Sequence, residues 1–142
     1  MKHICKIILV GMIFLLIVNK AEAQDFKIIV NKANQVESLS KKEVSNIFLK
    51  QKIKWEDKTK IIPVDLSSKS QHREVFSSNI HNKSVNQVRA YWQQSVFAGK
   101  ASPPLEKSDD AAVIEYVKAN KGAIGYVSGL TNTGDVKTIT IN

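Results

Sequence analysis

Catalytic and metal-binding groups are scarce in this sequence of 142 residues. It has one cysteine, Cys5, and three histidines, of which His72 and His81 lie nine residues apart. Neither has an Asp, Glu or Cys partner at a ligand spacing, so no metal is expected. There is no Gly-x-Ser-x-Gly elbow and no glycine-rich phosphate loop, the six glycines being scattered. Asp109 and Asp110 resemble a catalytic pair only by adjacency, because neighbouring helical residues point in different directions. Catalysis is left without visible machinery, and no catalytic residue and no cofactor is expected. Cys5 falls ahead of an apolar leader, so the rest of the chain has no thiol and must be held together by core burial alone. Repeats, low-complexity stretches and long linkers are also missing, which points to one domain.

What is present begins with an address. Lys2 and Lys6 form a basic start, Ile7 to Val18 is an apolar run of 12 residues, and Ala21-Glu22-Ala23 is a small-x-small cleavage pattern. A spanning helix needs about 20 apolar residues, so residues 1–23 read as a signal peptide cut before Gln24. The expected product, residues 24–142, is periplasmic or secreted. It carries 18 basic against 12 acidic side chains, a net charge of +6. That surplus favours anionic partners. Nucleic acid is not among them, because the cations are dispersed, no nucleic-acid motif occurs and the chain carries an export signal.

Strand and helix patterns alternate along the remaining 119 residues. Phe26 to Val30 is a β-rich run followed by a polar turn through Asn31 and Asn34. Ser40-Lys-Lys-Glu43 is a capping box, with Val44, Ile47 and Phe48 on one helical face behind it. Ile61 to Val64 has the apolar character of an interior strand. A helix starts near Ser70 with Val75, Phe76 and Ile80 inward. Ser84-x-x-Gln87 caps another, whose stripe is Val85, Val88, Trp92 and Val96. After the break at Gly99 to Pro104, Ser108 caps a helix with Asp109 and Asp110 in its first turn and Val113, Tyr116 and Val117 on its inner face. Ala123 to Val127 follows Gly122 as a strand, and Val136 to Ile141 alternates like an edge strand. Trp55 and Trp92 are expected in the core. The class is α/β.

The stretch from Ile47 to Phe76 carries the sharpest signal. It runs from a helix end through a Lys-rich turn closed by Trp55, a short apolar strand, a Ser-rich loop and a new helix. Strand, polar loop and helix start form a common oxyanion cradle, because the first helical N–H groups lack internal partners and the dipole adds partial positive charge. Ile47, Phe48, Leu49, Lys52, Ile53, Trp55, Asp57, Val64, Ser70 and Phe76 make this stretch resemble the substrate-binding proteins of bacterial phosphate ABC transporters. Lys121-Gly-Ala-Ile-Gly-Tyr-Val127 resembles a second block of that family, and Ile28-Ile-Val-Asn31 the strand that opens its second lobe. The resemblance implies a single lobe of a type II periplasmic-binding-protein-like fold, a mixed sheet flanked by helices. Nothing resembles the glycine-rich segment of the family's first lobe.

The resemblance also implies a site. Counting back from Phe76, the family's Arg falls on Leu66, its Asp on Ser68, and its Gly-Ser-Gly-Thr on Lys69, Ser70, Gln71 and His72, so only Ser70 is retained. The guanidinium fork and the glycines that admit a ligand to the backbone are missing. Lys69 and Arg73 are substitutes for the charge, and Ser67, Ser68, Ser70, Gln71 and His72 for the donors. Two readings stand. In one, Ser67 to Arg73 binds phosphate or a related oxyanion for ABC-type uptake, with a membrane transporter as partner and a homodimer or second lobe closing the site. In the other, Ser68 or Ser70 only caps a surface helix, and the fold is a module that docks onto an envelope protein.

Overall fold

The structure is a computed structural model that describes residues 25–142; the expected leader lies outside the described residues. Strand β1, Phe26–Val30, buries Ile28, Ile29 and Val30 completely. Consecutive buried side chains point to opposite faces of a strand, so this one is covered on both sides. The chain continues as β2 (Ser38–Leu39), α1 (Lys41–Phe48), β3 (Ile62–Leu66), α2 (Gln71–Phe76) and a π-helical turn at Ser77–His81. Then come α3 (Val85–Phe97), β4 (Leu105–Lys107), α4 (Asp110–Ala119), β5 (Ala123–Ser128) and β6 (Lys137–Ile141). The six strands form one mixed sheet in the order β2-β6-β1-β5-β3-β4. β1 is antiparallel to β5 and β6, with Ile28 opposite Tyr126 and Ile139. β3 is parallel to β5 and β4, and β2 is parallel to β6.

Alternation along β5 divides the core into two layers. Tyr126 points to the face carrying Phe26, Phe48 and Phe76, its ring stacked on Phe76 with centroids 3.8 Å apart. Gly125 points to the other face, where an added Cβ would lie 2.6 Å from a Val113 methyl. The missing side chain is what lets α4 sit against the sheet on Val113 and Val117. Gly122 serves a second close approach, since its Cβ would meet the Lys60 carbonyl oxygen at 2.0 Å. Its own carbonyl accepts Ile62 N–H and Trp55 Nε1–H, each at 3.0 Å. The Lys-rich turn is thereby pinned to β5, and Trp55 is buried as expected.

Both capping boxes form as read, Ser40 with Glu43 and Ser84 with Gln87. Several details depart from the sequence pattern. β3 runs two residues further than expected, so Leu66 ends a strand rather than opening the loop. The N-cap of α4 is Asp109, whose Oδ1 accepts Ala112 N–H, and not Ser108. On α3 the inward stripe is Val85, Val88, Trp92 and Ser95, while Val96 is 54% exposed. In this orientation Tyr91 donates its hydroxyl to Leu49 O at 3.2 Å. β6 is not an edge, because the two-residue β2 covers it.

His81 ends the π-helical turn edge-on to Phe76, its Nδ1 2.7 Å from Ser45 Oγ. Burial, reinforced by Lys83 and Arg73, pulls its pKa down to about 4. The unfolded chain takes up this proton near pH 6.5 and the folded chain only near 4, so stability is full above pH 6.5 and falls as pH drops towards 4. The loss should reach about 3 kcal/mol across that window. Urea unfolding of wild type and His81→Gln at pH 7 and pH 4.5 checks it: the variant should lose distinctly less stability on acidification, and equal losses would remove His81 from the account.

Candidate functional site

Two parallel strands finish side by side, Leu66 of β3 paired with Lys107 of β4. Ser67 N–H extends the ladder by donating to Lys107 O at 2.9 Å. Each strand then turns into a helix, β3 through Ser67–Ser70 into α2 and β4 through Ser108–Asp109 into α4. Between the two helix starts lies an open groove of about 670 Å³. It occupies the place where ligands of α/β sheets bind, outside the carboxyl ends of the strands. Ser67, Lys69, Ser70 and His72 line one wall, and Ser108, Asp109, Asp110 and Ala111 the other.

The near wall is a tight turn, with Ser70 N–H donating to Ser67 O at 2.9 Å and Lys69 N–H to Ser67 Oγ at 3.4 Å. Ser70 stands at the N-cap of α2, yet its hydroxyl accepts no helix N–H. Ser68 is exposed and does not line this groove. Gln71 lies in an adjoining groove of about 660 Å³, with His72 on the ridge between the two.

Arg73 is not at the rim. Only 8% exposed, its guanidinium donates to Leu66 O at 2.8 Å, pairs with Glu106 and lies 3.6 Å from Asp65 Oδ2. Asp65 is itself buried and accepts the Tyr126 hydroxyl, which in turn takes Leu66 N–H at 3.3 Å. Burial works against the guanidinium charge, but Asp65 and Glu106 outweigh it and hold its pKa above the usual value. Burial raises Asp65, with Arg73 and the Tyr126 hydrogen bond opposing. Burial and the Asp65 charge likewise raise the Tyr126 phenol. The counter-charge expected of Arg73 is thus spent inside the protein, tying β3, β4 and α2 together beneath the loop. Sequence reasoning missed Asp65, Glu106 and Tyr126. An Asp on an otherwise apolar strand was the available signal, since a buried carboxylate needs a partner.

The far wall is acidic. Asp109 is committed to its cap, and Asp110 Oδ2 accepts Ser128 N–H at 3.0 Å and the Thr131 hydroxyl at 2.6 Å. Lys69 is the cation the groove presents against them. Among the described residues no three His, Cys, Asp or Glu side chains gather as a metal site, and no helix is long and apolar enough to cross a membrane.

The fold is shared with known proteins. The lobe superposes on an ABC-type phosphate transport receptor from Vibrio cholerae with a TM-score of 0.64 and 22% identity, over 82% of this chain and 46% of that one. It matches PstS from Borrelia burgdorferi with a TM-score of 0.63 and 14% identity, over 83% of this chain and 47% of the other. This chain therefore spans less than half the length of those structures, and at such identities the likeness is one of fold. No curated protein matches it. A family model described as a PBP superfamily domain matches residues 23–137. That match takes in every strand from β1 to β5, and the chain belongs to the PBP superfamily.

Proposed function

We propose that this lobe is an exported, non-enzymatic substrate-binding-like domain whose β3–α2 loop is half of a site for phosphate or a related oxyanion, linked to ABC-type uptake. The observation that carries the proposal is the Ser70 turn: it opens into the groove at the ends of two parallel strands, with its hydroxyl unused by the helix. Ser67, Lys69, Ser70 and His72 are the candidate contacts within the groove, Ser68 and Gln71 flank them, and Arg73 braces them from below. The fold relatives named as phosphate receptors support the choice of anion.

Magnitudes argue for a closing partner. A helix start contributes ~1 kcal/mol to an exposed anion, and each charge-assisted hydrogen bond ~1.5–3. Association costs at least ~4 kcal/mol, while a micromolar site needs about 8 net. One open wall facing Asp109 and Asp110 reaches only about millimolar affinity. A second lobe, another chain or a second copy would complete the cleft.

Calorimetric titration with phosphate and with sulfate tests the reading. Wild type should bind with a Kd of about 1 mM, more weakly as salt screens Lys69. Ser70→Asp places a carboxylate in the site and should abolish binding at unchanged or raised melting temperature, since Asp is a good N-cap. If Ser70→Asp binds as well as wild type, the site lies elsewhere. The acidic far wall and the buried Arg73 support a second reading, an envelope-docking module without ligand. Absence of heat at tens of millimolar, far above the ~1 mM expected, would select it.

A further inference from the structure

A second electropositive surface lies away from the groove. Lys54 and Lys60 face each other across an antiparallel bridge. The flanking hydrogen bonds, Trp55 N–H to Thr59 O and Ile61 N–H to Ile53 O, make theirs the close, non-hydrogen-bonded kind of pair. Like charges directly opposite on a sheet repel, and among the described residues neither ammonium has an acidic partner within ion-pair distance, nor does Lys50. Lys50 adds a second oddity. It adopts a left-handed conformation (φ 55°) at the end of α1, where glycine would be unstrained. Its Nζ is fixed on Pro103 O at 3.3 Å. Burial, and then the nearby Lys60, lowers its pKa. Backbone pairing holds Lys54 and Lys60 together with Lys50 nearby, and among the described residues no carboxylate neutralises any of the three.

Large apolar side chains stand exposed on the adjoining elements. The Lys50–Pro103 and Tyr91–Leu49 hydrogen bonds bring the C-terminal half of α3 and its exit loop against the end of α1. There Phe97 is 96% exposed and Val96 54%. Exposed single apolar residues are ordinary. A projecting Phe beside unpaired lysines is a different combination, the one by which interfacial surfaces insert into acyl chains while cations meet anionic headgroups.

We propose that Lys50, Lys54 and Lys60, with Phe97 and Val96, form a docking surface for an anionic phospholipid membrane. The occupant follows from charge and shape. The lysines call for a dense negative array, and the apolar groups project outwards rather than lining a cleft that would receive a peptide. The proposal is independent of the oxyanion reading, because none of these residues lines the groove.

Co-sedimentation with vesicles tests it, using residues 24–142, which contain the buried core of the described residues and omit the expected leader. Vesicles with anionic phosphatidylglycerol should pull down wild type, and pure phosphatidylcholine vesicles should not. Lys54→Gln/Lys60→Gln should weaken binding on the order of tenfold or more, and Phe97→Ser by about tenfold. All these side chains are exposed, so melting temperatures should stay unchanged and serve as the folding control. Equal binding to both vesicle types, or wild-type binding by the lysine variant, overturns the proposal. Binding that needs the lysines but ignores Phe97 also overturns it, leaving an electrostatic contact with headgroups in which the apolar side chains take no part.

Discussion

Replacing Arg73 by methionine is expected to remove about 3–5 kcal/mol of folding stability, the penalty for leaving a buried carboxylate without its cation. Asp65 is 6% exposed and cannot regain the water it lost. Adding Asp65→Asn to the Arg73 variant should recover part of the loss, because the stranded charge is then gone. A double-mutant cycle by urea denaturation would measure this as a coupling above about 1 kcal/mol. The same experiment reports on function. A loss below about 1 kcal/mol, the range of exposed ion pairs, would mean that the guanidinium is free at the loop and available to a ligand.

Truncating Phe76 should be equally costly. Its ring is 1% exposed, stacks on Tyr126, and meets Phe26 and Phe48 edge-on with centroids 5.4 and 4.8 Å away. Phe76→Ala should cost about 3–5 kcal/mol through lost contacts and the cavity left behind, and Phe76→Leu roughly half as much. Chemical denaturation gives the energies, and near-ultraviolet dichroism should show the aromatic cluster loosening in the alanine variant. If leucine is as damaging as alanine, ring stacking outweighs volume at this position. Phe76 ends α2, the helix that starts at the loop, so the alanine variant should also bind phosphate less well than the leucine variant.

What could be read from the sequence was what is decided locally. A capping box is a contract between residues three apart, so the starts of α1 and α3 were legible to the residue. β1 and β5 were legible because their burial on both faces demands consecutive apolar residues, Ile28 to Val30 in one and Ala123 to Val127 in the other. β2 and β4 were not, since strands of two and three residues at sheet edges carry polar side chains such as Ser38, Glu106 and Lys107. Their existence depends on the neighbours they pair with. The loop's place at a groove followed from strand–loop–helix order, but the fate of Arg73 did not. Its partners Asp65 and Glu106 stand 8 and 33 residues away, and only the β3–β4 pairing brings them under one guanidinium. On α3 helical periodicity admits either Ser95 or Val96 after Trp92, and the apolar side chain was the wrong guide to which one is buried.

The position of β1 in the sheet also sets a timetable. The first strand of the lobe is flanked by the last two, with Val30 opposite both Ile124 and Lys137. Closing loops of that length is entropically slow, and folds dominated by distant pairings form later than those built from neighbours. A chain emerging from the ribosome therefore keeps Ile28, Ile29 and Val30 unpaired until residues 123–141 have been made. The centre of this sheet cannot set early: its middle strand has no partner until almost the whole of the chain has been synthesised.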